Sequence, residues 1–395
     1  MQNTPRANRV HIGIFGPANS GKSSLVNAIT GQRVSIVSDV AGTTTDPVNK
    51  SMEVQGIGAV TFIDTAGFDD TGNIGAQRVE QTVRAADRTD VALVLCEEGS
   101  LAEESHWIDM FRSKRVPVIA VINKSDMLAD PAALAARVEN KTGLRPIVVS
   151  AVTGDGIPGL VKAIAEVAQA ENPDSIVGTL ASQGDVVMLV MPQDSQAPRG
   201  RLILPQVQTI RDLLDKKCVV VGCTPDQMET ALKSLAAPPK LIITDSQVFG
   251  PVSKLTPTES MLTSFSVLFA RYKGDIKAFV EGASAIDALT ENSRVLIAEA
   301  CTHAPLDEDI GREKIPRMLR AKAGQGLEVD VVGGSDFPDD LTGYDLIIHC
   351  GACMFNRRHV LSRVARAAGQ GVPITNYGIA IAYLTSILDK VVYPD

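Results

Sequence analysis

Gly16-Pro17-Ala18-Asn19-Ser20-Gly21-Lys22-Ser23 narrows the possible folds more than any other stretch of this chain. It joins the apolar run HIGIF to the helical stretch SSLVNAIT, which gives a strand, a glycine-rich loop and a helix in direct succession. Such a loop turns its backbone N–H groups around a phosphate, and the helix N-terminus adds its dipole. Four more β-rich runs (VTFID, VALVLC, VPVIAVIN, PIVVS) alternate with helical stretches up to about residue 170. The alternation predicts a parallel sheet covered by helices on both faces.

The chain has 395 residues, enough for two or three domains of ordinary size. Asn172-Pro173-Asp174-Ser175 reads as a linker. Beyond it, DVVMLVMP, KCVVVG and KLIITD, separated by helices near 205–216 and 225–236, form a second and smaller α/β unit. RVLIAEA, LEVDVVGG, YDLIIHC and VPITNYG form a third. The expected divisions are 1–172, 176–256 and 257–395, and no short-period repeat is visible.

A formal charge of −8 argues against a broad nucleic-acid surface. No stretch approaches the roughly 20 apolar residues of a membrane span. The polar start of the chain predicts no secretory leader. Six cysteines without one read as reduced thiols of a cytoplasmic protein.

The P-loop residues Gly16, Asn19, Ser20, Gly21, Lys22, Ser23 and Ser24 form the phosphate site, with Lys22 reaching the β- and γ-phosphates and Ser23 ligating Mg²⁺. Asn123-Lys124-Ser125-Asp126 matches the NKxD guanine signature, in which a carboxylate at Asp126 accepts two N–H bonds that adenine cannot donate. Ser150-Ala151 resembles the last base-contacting loop. Asp64-Thr65-Ala66-Gly67 resembles the DxxG motif, in which Asp64 would hold Mg²⁺ through water and the Gly67 N–H would sense the γ-phosphate. Gly42-Thr43-Thr44-Thr45-Asp46 resembles the first switch of Era-like and tRNA-modification GTPases, with Thr44 as the Mg²⁺ contact. Phe68 stands where Ras-like enzymes carry a water-orienting glutamine, so slow intrinsic hydrolysis is expected. Asn19 occupies the position that potassium-activated relatives use to hold K⁺.

Near the C-terminus, Cys301-Thr302-His303 is answered by His349-Cys350-Gly351-Ala352-Cys353. Both cysteine groups follow predicted parallel strands, where open α/β sheets form their binding crevice. These donor types fit a thioredoxin-like dithiol, a structural zinc site, an iron–sulfur cluster or plain structural residues. Strand alternation turns His349 away from Cys350, which weakens it as a ligand. His359 reads as a surface histidine. Arg357, Arg358, Arg363 and Arg366 read as a solvated helix face. Cys96, Cys218 and Cys223 read as small core residues.

A GTPase domain followed by C-x-H, a long spacer and H-C-x-x-C resembles the HydF family of maturation GTPases for FeFe-hydrogenases. The resemblance spans the whole chain. It implies a 4Fe–4S cluster on Cys301, Cys350 and Cys353. His303 and His349 are candidate fourth ligands, beside a carboxylate such as Glu299 or a water. It further implies a homodimeric scaffold, paired through its middle domain. Such a scaffold receives a di-iron subcluster made with two radical-SAM maturases, HydE and HydG, and delivers it to apo-hydrogenase. The competing expectation is a ribosome- or tRNA-associated GTPase with a zinc-stabilised C-terminal domain.

Overall fold

The computed structural model describes residues 9–31, 48–54, 56–64, 83, 85–170, 175–192, 202–299, 309–334, 336–352 and 355–394. The chain divides into two compact units, Met1–Asn172 and Pro173–Asp395.

In the first unit, β1 (Val10–Phe15) lies at the centre of a six-stranded sheet of order β2-β3-β1-β4-β5-β6. Its partners are β2 (Val48–Val54), β3 (Gly58–Asp64), β4 (Val91–Leu95), β5 (Val118–Ile122) and β6 (Ile147–Val148). The expected strands pair in parallel, and β2, which the sequence reading did not include, adds an antiparallel edge to β3. VNKSMEV is too polar to read as a strand. It is held by a tight turn in which Gly56 and Gly58 take φ of +92° and +94°.

Alternation along the strands feeds two cores. Ile12 and Ile14 pack with α1 (Lys22–Thr30) and α4 (Ile157–Ala170) on one face. On the other, Phe15 packs with α2 (Ala102–Ser113) and α3 (Pro131–Thr142). Helix α4 buries Ile157, Leu160, Ile164 and Ala168, the three- and four-residue spacing of an amphipathic helix. Helix α3 starts on Asp130, whose carboxylate accepts from Ala133 N at 2.9 Å.

The second unit contains two four-stranded parallel sheets. One has the order β10-β9-β7-β8, built from β7 (Val186–Val190), β8 (Val219–Cys223), β9 (Leu241–Thr244) and β10 (Met261–Ser264). The other has the order β12-β11-β13-β14, built from β11 (Arg294–Ala298), β12 (Glu328–Val332), β13 (Leu346–His349) and β14 (Ile374–Asn376). Renumbered from its own first strand, each reads 2-1-3-4. The unit is therefore a topological duplication, with no sequence repeat to announce it.

The helices between these strands are α5 (Leu204–Asp215), α6 (Met228–Lys233), α7 (Phe249–Leu255), α8 (Phe265–Lys273), α9 (Ile276–Ala283), α10 (Ile315–Ala323), α11 (Arg357–Gly369) and α12 (Tyr377–Leu384). One continuous core joins the two sheets, from Met188 and Ile242 through Val267 and Phe279 to Leu296, Ile347 and Val360. Strand β10 lies beyond the division drawn at 256/257, and the middle sheet runs on to Ser264. Val391 pairs with Leu262, so the C-terminal segment returns to that sheet. No helix among the described residues is long and apolar enough to cross a membrane.

Candidate functional sites

The nucleotide site forms at the carboxyl end of β1, beside the ends of β3 and β5. Gly16 and Gly21 adopt φ of +156° and +87°, and Asn19 is also left-handed at +61°. A side chain on Gly21 would run into Asn123 Nδ2, and one on Gly16 would come within 2.8 Å of Leu95 Cβ. The loop is therefore tight because neighbouring strands press on it. Lys22 Nζ donates to the carbonyls of Gly16 (3.0 Å) and Pro17 (2.7 Å), folded across the cradle that its ammonium is expected to share with phosphate. Ser20 is buried and donates to Pro17 O at 2.8 Å. Ser23 and Ser24 lie in the first turn of α1.

The guanine motif is cross-braced to this loop. Asn123 Nδ2 donates to Ser20 O at 3.1 Å, and Asn123 Oδ1 accepts from Ala151 N at 3.1 Å. Lys124 Nζ reaches Asn19 O at 2.5 Å. Ser150 Oγ donates to Asp126 Oδ1 at 2.6 Å, which holds the carboxylate in place. The structure thus brings together Asn19, Ser20, Gly21, Lys22, Asn123, Lys124, Asp126, Ser150 and Ala151. The backbone of Asp64 ends β3 in register with Ile14. Thr44 and Gly67 lie outside the described residues.

Cys96 is a core residue, as expected: burial, with help from Glu104, pushes its thiol up to about 12. Burial also raises the thiols of Cys218 and Cys223.

The second site is the carboxyl edge of the β12-β11-β13-β14 sheet. Strands β11 and β13 are parallel neighbours, with Ala298 opposite His349, and Cys350 N donates to Ala298 O at 2.9 Å. From β11 the chain crosses to β12 on one side, and from β13 to β14 on the other. The loops after β11 and β13 therefore diverge at a topological switch point, the place where open α/β sheets leave a crevice. The loop after β13 carries Cys350, and the loop after β11 carries Cys301 in sequence. Cys301, His303 and Cys353 lie outside the described residues, and no group of three metal-binding side chains occurs among those described.

Cys350 is half-buried, and Ala352 N donates to its Sγ at 3.4 Å. Ala352 is left-handed at φ +49°, and a side chain on Gly351 would meet none of the described residues within 4 Å. This loop hydrogen-bonds its sulfur from the backbone.

His349 is fully buried, with Nδ1 2.7 Å from Cys350 O and Nε2 2.9 Å from Arg363 Nη1. In the tautomer that this network selects, Nδ1–H donates to the carbonyl and Nε2 accepts from the guanidinium. Burial, then the Arg363 charge, lowers its pKa to about 3. Both ring nitrogens are engaged by protein partners in this structure. Glu299 follows β11 and is paired with Arg312 at 2.9 Å.

His359 is corrected from the surface to the interior: it is buried, its ring 4.1 Å from that of Phe355. The arginine run is corrected too. Arg358 and Arg363 are buried, Arg357 caps the end of α8, and Arg366 pairs with Asp339 at 2.7 Å. Arg358 and Arg363 are thus turned inward, and the run is not a uniformly solvated face.

A 50S ribosome-binding GTPase model matches residues 11–124. The hydrogen maturase F dimerization domain matches residues 176–274, and the hydrogen maturase F tetramerization domain matches residues 277–394. The last two abut, follow the order of the two sheets and together cover more than half of the chain. The chain belongs to the hydrogen maturase F family.

Curated relatives resemble this chain over a shorter span. The tRNA modification GTPase MnmE of Nitrosomonas europaea is 36% identical over 161 residues, 40% of this chain and 35% of that protein. GTPase Der of Wolinella succinogenes is 41% identical over 126 residues, 30% of this chain and 26% of that one. The chain thus spans about a third or less of their length. Among solved structures, Aquifex aeolicus Era bound to GDP·AlF4⁻ is 20% identical, covering 57% of this chain and 98% of its own, with a TM-score of 0.35.

Proposed function

We propose that this protein is a GTP-hydrolysing scaffold and carrier in FeFe-hydrogenase maturation. GTP and Mg²⁺ bind in the first unit, and an iron–sulfur cluster binds in the second. The observation that carries the reading is the pairing of a braced guanine-nucleotide site with a cysteine loop at a sheet's switch point, in a maturase F chain.

The residues described around the second site fit a cluster. The half-buried Cys350 Sγ accepts a backbone N–H, the kind of contact that tunes cluster sulfurs. Among the described residues, none stands within 4 Å of where a Gly351 side chain would sit, which suits a bulky group against the backbone. Cys301, Cys350 and Cys353 would hold a 4Fe–4S cluster, which supplies iron with one exchangeable coordination position. The di-iron subcluster is cargo received from the radical-SAM maturases HydE and HydG and passed to apo-hydrogenase. Asp126, held by Ser150, selects guanine, and Lys22 exchanges its carbonyl partners for phosphate oxygens when nucleotide enters. Asn19 contributes to a K⁺ site beside the phosphates, so K⁺ raises the hydrolysis rate over Na⁺ at matched ionic strength.

The test is anaerobic reconstitution of the full chain with iron and sulfide. The wild-type chain is expected to retain both, and Cys301→Ser, Cys350→Ser and Cys353→Ser to lose the 4Fe–4S spectrum. A full spectrum in all three variants would overturn the assignment, and stoichiometric zinc in its place would favour a zinc-stabilised GTPase. The burial of Arg358 and Arg363 weighs against the basic surface on which that alternative depended.

A further inference from the structure

Lys273 is a buried cation that neither site explains. It closes α8, is only 3% exposed, and its Nζ donates to Ala352 O at 3.1 Å and Phe355 O at 3.0 Å. In the chain those two carbonyls bracket Cys353 and Met354. Taking an ammonium out of water costs several kcal/mol unless hydrogen bonds replace the lost hydration. Here the replacement comes from the backbone of the thiol loop.

A second tie runs the other way. Arg357 opens α11 just after that loop, and its Nη1 lies 3.0 Å from each of the carbonyl oxygens of Arg271, Tyr272 and Gly274. A helix end leaves its last carbonyls without intrahelical partners, and basic side chains are apt donors to them. The end of α8 and the thiol loop therefore cap each other: a lysine from the helix holds the loop's carbonyls, and an arginine following the loop holds the helix's. Asn356, the N-cap of α11, accepts from His359 N at 3.3 Å and fixes the point where the loop becomes helix.

We propose that the last turn of α8 is the positioning element of the thiol loop, with Lys273 and Arg357 fixing the backbone at Ala352 and at Phe355–Arg357 so that Cys350 is presented for ligation. This rests on the reading of Cys350 and Cys353 as metal ligands. Supports of this kind typically matter by 10- to 100-fold in metal affinity, roughly, when removed. The effect is on ligand placement, so it also registers in the metal-free protein.

The test uses the full-length apo chain under native conditions. Iodoacetamide labelling of Cys350 is timed by mass spectrometry, with Cys223 on β8 as internal reference. Lys273→Met and Arg357→Gln are each expected to raise the Cys350 labelling rate on the order of tenfold while Cys223 stays unchanged, because the loop opens more often. The melting temperature reports folding, and if Lys273→Met fails to fold, Arg357→Gln decides. Unchanged Cys350 labelling in a folded variant overturns the proposal, as does an equal rise at Cys223, which signals general loosening. In reconstituted protein, chelator removal of iron should be about tenfold faster from the variants than from wild type. If the wild-type chain retains no metal, the ligand reading fails, while the labelling comparison still decides whether α8 positions the loop.

Discussion

Gly21 condenses the logic of the nucleotide site into one residue. Its φ of +87° excludes an L side chain at low cost, and the space where a Cβ would sit belongs to Asn123 Nδ2. Gly21→Ala strains the backbone by about 1–3 kcal/mol and pushes away the asparagine that braces the guanine loop. Titration with a fluorescent GTP analogue is expected to show affinity reduced at least tenfold. Glu104 makes a different prediction. It is buried at the start of α2, and burial raises its carboxyl pKa above the ordinary 4.5. An acid whose folded pKa is raised adds stability while protonated and loses that contribution as pH rises through the folded value. Glu104→Gln should therefore raise the melting temperature at pH 8, with the gain shrinking toward pH 4. Calorimetry at the two pH values checks the sign. At this scale the motifs were legible because phosphate and guanine each demand particular residues at particular spacings. The arginines of α11 were not, because their charge is visible in sequence but their partners, His349, Gly334 and the α8 carbonyls, are not.

Elements with a strong periodic signal were easy to anticipate, and short or polar ones were not. Nearly continuous apolar runs such as VALVL and LIIH mark strands buried on both faces. Strand β10 escapes because four residues, MLTS, pass straight into the helix capped by Ser264. Strand β8 has a further consequence as the edge of the middle sheet. It exposes Val219 by 52%, and the neighbouring α5 exposes Val207 and Leu214 by 47% and 55%. An apolar edge of this kind invites pairing with a second copy. Val219→Lys should weaken self-association at least tenfold, about 1.4 kcal/mol, as measured by sedimentation or light scattering.

For the whole molecule, the question is how the two chemistries communicate. Arg271, in the same last turn of α8 as Lys273, donates from Nη1 to Ser175 O at 3.0 Å, and Ser175 also donates to Asp212 at 2.9 Å. The segment through which the chain enters the second unit is thus bonded to the turn that holds the thiol loop. If that turn relays nucleotide state, Cys350 labelling should differ between GDP and a non-hydrolysable GTP analogue, and Arg271→Ala should remove the difference. A difference that survives in the variant would exclude the route.

The sequence by itself determined the local chemistry: a phosphate loop, a guanine-selecting motif, and cysteines following two strands. Those depend on residues close together in the chain, where spacing is geometry. Tertiary structure alone decided that β11 and β13 are neighbours at a switch point, that two sheets share one topology, and that His349 is spent on Arg363. It also decided that Lys273 reaches the thiol loop some 80 positions away. Contacts at such separations follow from which faces are buried together, and burial is a property of the packed molecule.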